Sequence, residues 1–260
     1  MKKTALIAAV ALASSVLSSQ AGVYSQNIVG YANLPAQNGA NTLLNCQFNV
    51  GASNGLNEIF GNSLPAASEV LIWNPAELTY NLALYDNTDP DGLGAGAPVW
   101  YEGDDSTPLS PLPCLTPGVG FWLVAAGTIT NVFAGTVPVS LGSTNSLNLS
   151  AGQTLLVGCP LPYAGVITNG NCSTGGGANL NGLPAHSKLQ LWDPIHSQFN
   201  IVIYDNTNPD HFGSGAPLWY RGDDQTPYVD PNTGLDVPSI AVGQAFFIQV
   251  PGVYFWETGL

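Results

Sequence analysis

Basic residues are almost missing from this chain. Lys2, Lys3, Lys188 and Arg221 are its only cations in 260 residues, against seventeen Asp and Glu. A surface with that balance repels phosphate backbones and anionic headgroups, which excludes nucleic-acid binding and electrostatic docking on membranes. Histidine is confined to His186, His196 and His211, and no CxxC spacing occurs, so the cysteines do not read as a zinc site. No GxSxG or HExxH pattern is present, and the Gly-rich GLGAGAP has no following lysine to make it a phosphate loop. No apolar run reaches the roughly 20 residues that an integral membrane span needs. Charged residues of both signs make up only 8% of the chain. Exposed polarity must therefore come from Asn, Thr, Ser and Gly, a pattern closer to an extracellular structural or binding module than to a cytosolic enzyme.

The first residues read as an export signal. Lys2 and Lys3 precede the apolar run ALIAAVALA and then the small residues around Ala21. Residues 1–21 are expected to be a signal peptide cleaved after Ala21, leaving a secreted or cell-surface chain with two cations, Lys188 and Arg221. Divalent cations are the partners such an acidic surface attracts. In an oxidising compartment the four cysteines, Cys46, Cys114, Cys159 and Cys172, are expected to pair, with three connectivities open.

The second half of the chain repeats the first. YDNTDPDGLGAGAPVWYEGDDSTP (Tyr85 to Pro108) lies over YDNTNPDHFGSGAPLWYRGDDQTP (Tyr204 to Pro227), and SEVLIWNP lies over SKLQLWDP at the same offset. NTLLNC resembles QTLLVGC after a one-residue gap, and PGVGFWLV resembles VGQAFFIQ after another length change. The order of segments is kept, which marks an internal duplication: residues 22–138 form one unit and 139–260 the other. Within each unit the apolar residues alternate or run in short blocks such as NLALYD, APVWYEG and AFFIQV, bounded by Gly, Pro, Asn and Asp. This is a strand-and-turn pattern, and thirty glycines and twenty prolines leave little room for helices. The expected fold is all-β: two tandem homologous β-sandwich-like units, or one pseudo-symmetric β structure made by both copies.

The segments NIVGYANLPA, NTLLNCQF, VLIWNP, PGVGFWLV and TNVFAGTVP resemble a family of exported bacterial β-rich proteins that has no established activity. In that family a signal peptide is followed by an NVVGYxNV-like strand and, later, a PGEGFFV-like strand with a TFVGxVP-like ending. PGVGFWLV here lacks the usual glutamate. The resemblance implies a β-rich secreted module and supplies no catalytic residue.

The repeated loop offers two binding chemistries. Clustered carboxylates are the hard oxygen ligands that Ca²⁺ takes, which makes Asp86, Asp91, Asp104 and Asp105, with Asp205, Asp210, Asp223 and Asp224 in the second copy, candidate metal ligands. Asn87 to Gly92 fits the opening of a calcium loop, but Pro98 stands at the twelfth position and the second copy has His211 in place of the glycine. An exposed aromatic ring beside such groups would stack on a sugar, so Trp100, Tyr101, Trp219 and Tyr220 are candidate glycan contacts. Successive strand residues point to opposite faces, and one ring of each pair is expected to face solvent. The bland alternative is turn chemistry, with Asp and Asn bonding nearby amides and Gly and Pro setting the backbone. The functional expectation is a secreted or cell-surface, non-catalytic structural or adhesive protein, with an extracellular glycan or matrix as partner and calcium as the candidate ion. The rival is a secreted carbohydrate-active enzyme using loop carboxylates such as Glu102, Asp104 and Asp105; against it, Arg221 stands where Glu102 does.

Overall fold

The computed structural model describes residues 28–88, 99–104, 106–139, 144–168, 177–207, 218–223, 225–231 and 233–259. It is nearly all β. In the first half, β2 (Asn41–Asn45), β3 (Ser68–Asn74), β4 (Thr79–Tyr85), β5 (Trp100–Tyr101) and β6 (Gly120–Val124) form an antiparallel sheet ordered β2-β6-β3-β4-β5. In the second, β9 (Thr154–Gly158), β11 (Ser187–Asp193), β12 (Gln198–Tyr204), β13 (Trp219–Arg221) and β15 (Ala245–Gln249) form a sheet of the same order, β9-β15-β11-β12-β13. Each half adds a two-stranded ribbon: β1 (Val29–Ala36) with β7 (Ile129–Thr136), and β8 (Thr144–Leu149) with β16 (Tyr254–Gly259). A short pair, β10 (Gly165–Val166) with β14 (Ser239–Ile240), completes the second half.

Local chemistry explains these elements. The hairpin between β3 and β4 turns where the Asn74 side chain accepts the Ala76 and Glu77 amides and Leu78 takes a positive φ. Asp193 and Ser197 do the same between β11 and β12. Alternation then sets the faces: in β1 Ala32, Leu34 and Ala36 are buried while Val29, Tyr31, Asn33 and Pro35 are exposed. The only helix among the described residues, α1 (Leu56–Phe60), is a single turn that the strand pattern did not foretell. It places Phe60 against the rings of Trp100, Phe121 and Phe133, each 5.9 Å away between centroids.

One hydrophobic core runs through both halves, from Ala32 to Trp256. The inner faces of the two five-stranded sheets also meet directly. Leu43 and Trp122 on one side cluster with Leu156, Ala245 and Phe247 on the other. Trp122 lies edge-on to Trp192 at 5.0 Å, and Trp73 to Phe247 at 5.4 Å. The contacts are reciprocal: the Asn45 amide donates to the Gly243 carbonyl at 2.8 Å, and the Gly158 amide to the Gly118 carbonyl at 3.1 Å. Leu44 bridges Gln244 just as Val157 bridges Val119. Asn45 and Gly158 are equivalent positions, as are Gly118 and Gly243, so the halves face each other about an approximate two-fold axis, the relation found between identical subunits. Gly118 and Gly243 both hold a positive φ at this seam, +98° and +71°.

The cysteines depart from expectation. Cys46, Cys114 and Cys159 are free thiols, and Cys172 lies outside the described residues. Cys46 and Cys159 sit at equivalent ends of the edge strands β2 and β9, each enclosed in the core, while Cys114 is exposed. Burial pushes the Cys46 thiol up to about 11 and the Cys159 thiol up to about 12, so both remain protonated and inert. No helix among the described residues is long and apolar enough to cross a membrane.

Candidate functional site

The duplicated loops are occupied by their own turns. Asp104 accepts the Ser106 and Thr107 amides on one oxygen, at 3.1 and 2.9 Å, and the Thr107 hydroxyl on the other at 2.7 Å. Asp223 repeats this with Gln225 and Thr226 at the same three distances. The hydrogen bond from the threonine hydroxyl, followed by the amide bonds, holds each carboxyl down to about 2. Asp86 and Asp205 likewise bind the amide and hydroxyl of Thr88 and Thr207. Asp205 is fully buried and has the exposed His186 ring 3.1 Å from its second oxygen; Ala67 is the counterpart of His186 in the first half. Asp91, Asp105, Asp210 and Asp224 lie outside the described residues. Among the described residues no group of three or more His, Cys, Asp or Glu is placed to hold a metal ion.

The aromatic pairs differ more sharply from expectation. Trp100, Tyr101, Trp219 and Tyr220 are all buried, none more than 1% exposed. Trp100 packs at 5.2 Å on Tyr85 and donates its indole N–H to the Asn57 side chain, and Trp219 packs at 5.1 Å on Tyr204. The tyrosines point to the opposite face, as strand geometry requires, but that face is closed too. The chain doubles back after each pair, bridging Tyr101 to Pro108 and Tyr220 to Pro227, and Gly103 and Gly222 settle onto Leu82 and Ile201. Rings buried in this way are core and offer no flat face to a sugar.

A different place is open. A cleft of about 630 Å³ lies between the β2 edge of the first half and the β11–β12 hairpin of the second, and extends to the segment around Tyr228 to Pro231. Trp192, Tyr228, Gln244 and Leu43 help to line it, with Asp193 and His196 at the hairpin. Beyond Tyr228 a second hollow of about 410 Å³ holds Arg221. Asp193 accepts the Ile195 and His196 amides and stands 2.7 Å from His196 Nδ1, contacts that keep its carboxyl below the usual range, the histidine foremost. Asp230 accepts the Ser239 amide and hydroxyl and the Thr233 amide. Burial, and then the Asp230 charge, push the Tyr228 hydroxyl well above its ordinary value, so it keeps its proton.

The repeat does not mark these residues, because they stand where the two copies differ. The equivalent positions in the first half carry Leu109 for Tyr228, Pro111 for Asp230, Glu77 for His196 and Glu102 for Arg221. The cleft is marked by differences between the copies, a signal present in the same alignment. No family model, curated protein or solved structure matches this chain.

Proposed function

We propose that this protein is an exported, non-catalytic structural or adhesive β module, and that its duplicated Asp/Trp loops are scaffolding. One observation carries this reading. Asp104 and Asp223, seen in the described part of each loop, have both oxygens taken by the same short-range bonds, and the Trp-Tyr pair beside each is buried. A general acid, a calcium ligand or a sugar platform needs groups left open to a ligand. The lack of positive charge, the leader-like N-terminus and the resemblance to exported β-rich proteins support the compartment and the extracellular partner.

The test has two arms. Cell fractionation should place the protein in the medium or envelope, and retention in the cytoplasm would overturn the export assignment. The purified chain should release no reducing ends from a polysaccharide panel and should melt at the same temperature in EDTA and in excess Ca²⁺. Sugar release abolished by Asp104→Asn or Asp223→Asn, or a melting temperature raised by calcium, would show that the loops are working sites.

A further inference from the structure

The two ribbons are equivalent by the duplication, yet they present different surfaces. In β1 and β7 the register sets exposed residues opposite each other, Tyr31 with Ala134, Asn33 with Val132 and Pro35 with Thr130, so they share one outer face. Val29 and Tyr31 are each 72% exposed and Val132 is 56% exposed, which makes that face apolar. The corresponding face of β8 and β16 carries Thr144, Ser146, Asn148, Phe255 and Glu257. The edges differ as well. On β16 the chain's own segment lies alongside, with the Asn179 side chain donating to the Glu257 carbonyl at 2.9 Å and the Tyr254 hydroxyl donating to the Asn181 carbonyl. By contrast, β1 pairs with β7 alone. Thr136 exchanges both of its main-chain bonds with Asn49, at 3.0 and 2.8 Å, and so turns away from its partner Val29. By the alternation of an antiparallel pair, Val29, Tyr31 and Asn33 then turn their N–H and C=O groups away from β7, where no bond among the described residues takes them up. Pro35, which has no N–H, ends this open stretch.

Open sheet edges are commonly guarded by charged side chains. This one is not. Residues 4–57 and 106–187, which contain β1 and β7, have no Asp, Glu, Lys or Arg, although the chain holds seventeen carboxylates. That distribution selects the occupant. A basic partner, which the acidic surface draws elsewhere, finds no carboxylate on this ribbon. Two copies of a chain with a formal net charge of −13 repel each other, and they meet with least repulsion where neither carries charge. The open stretch is also self-complementary. Laid antiparallel about Tyr31, Val29 of one copy opposes Asn33 of the other, Tyr31 opposes Tyr31, and every outward N–H meets an outward C=O. We propose that β1 of one chain pairs antiparallel with β1 of a second copy, about a two-fold axis at Tyr31, joining the two ribbons into one continuous sheet. A contact that uses the same edge on both chains closes at the dimer and does not extend into a fibre. This rests on the structural reading above and gives it a contact.

The experiment is sedimentation equilibrium of the purified chain over a range of concentration and salt. A reversible monomer–dimer equilibrium is expected at chain concentrations below about 1 mM. It should tighten as NaCl is raised from about 0.02 to about 0.5 M, because screening relieves the repulsion between like-charged chains. Tyr31→Glu sets two carboxylates against each other across the axis and should weaken the dimer at least about tenfold. Asn33→Pro removes an outward N–H and should weaken it as well. Val132→Glu changes the outer face one strand away from the seam, and Phe255→Glu changes the other ribbon; both should dimerise within about threefold of the parent. All four side chains are exposed, so the variants should melt with the parent. A monomer at every concentration and salt would overturn the proposal and leave the ribbon to a different protein. Association that weakens with salt, or oligomers beyond the dimer, would overturn it too. Loss in Val132→Glu with none in Asn33→Pro would mean that the ribbons stack face to face, and loss in Phe255→Glu that the interface lies elsewhere; either result overturns strand pairing. None of these outcomes bears on export, calcium or sugar release, so the two readings fail separately.

Discussion

The two halves of the molecule agree closely where the backbone must turn and diverge where a side chain meets open space. Asp104 and Asp223 cap the same turn with the same set of three bonds. Trp100 and Trp219 fill the same position beside Tyr85 and Tyr204. At the approximate two-fold axis, by contrast, the halves cannot be alike. Asn45 occupies the space, donating to the Cys159 carbonyl at 2.7 Å and accepting the Gly118 amide at 3.2 Å. Its equivalent is Gly158, where an added Cβ would come within 2.5 Å of the Asn45 side chain. Repetition here preserves strands, turns and core. Divergence is forced at the axis by lack of room, and it is permitted at the cleft, where Tyr228 and His196 replace Leu109 and Glu77.

The largest test of this equivalence is truncation of the buried indoles. Trp100→Ala and Trp219→Ala should each cost about 3–5 kcal/mol, the range for emptying a core aromatic site. Because one core runs through both halves, either change should lower a single cooperative transition, followed by denaturant titration. Two separate transitions, with only one displaced, would show that the halves unfold independently.

Next comes the axis. Gly158→Ala should destabilise by about 1–3 kcal/mol through overpacking against Asn45. In an Asn45→Gly background the clash disappears, and the same alanine should be tolerated. A double-mutant cycle measures this coupling, and additive effects would mean that the two positions do not share one space.

A smaller effect, of opposite sign, is expected in the ribbons. Asn131 is 1% exposed, and neither its oxygen nor its nitrogen has a partner among the described residues, whereas its equivalent in β16 is the buried Trp256. Asn131→Leu keeps the shape and removes the unmet polar atoms, so stability should rise by about 1 kcal/mol. A lower denaturation midpoint would reveal a partner for the amide.

Much of this was legible in the sequence. Alternation in NLALYD and NIVIYD, and the turn residues around them, specify antiparallel hairpins, and the repeat specifies that they recur. Burial of Tyr101 and Tyr220 was not legible, because strand periodicity says which face a ring points to and not whether that face is covered. The cysteine pairing failed for a related reason: an even count in an exported chain is a composition argument, while a disulfide needs two Cβ atoms within a few ångström, about 3.5–4.5 Å. Leu56 to Phe60 is too short a helix to show a period. The cleft joins residues from β2, β11 and the segment after Pro227, and their approach depends on how the halves pack.

The smallest expected effect is the most direct comparison of the duplicated loops. Asp104 and Asp223 are both held down to about 2, below the ordinary aspartate value of about 3.9. A carboxyl whose folded value is depressed contributes stability above its unfolded value and loses it as the pH falls through the folded one. The contribution should therefore be complete above about pH 4 and fade toward about pH 2. Thr107→Val and Thr226→Val each remove the strongest of the bonds responsible, so each should flatten the decline of the denaturation midpoint over this window, and by the same amount. Unequal slopes would show that the two turns are held differently in solution, and that the likeness of the loops stops short of their electrostatics.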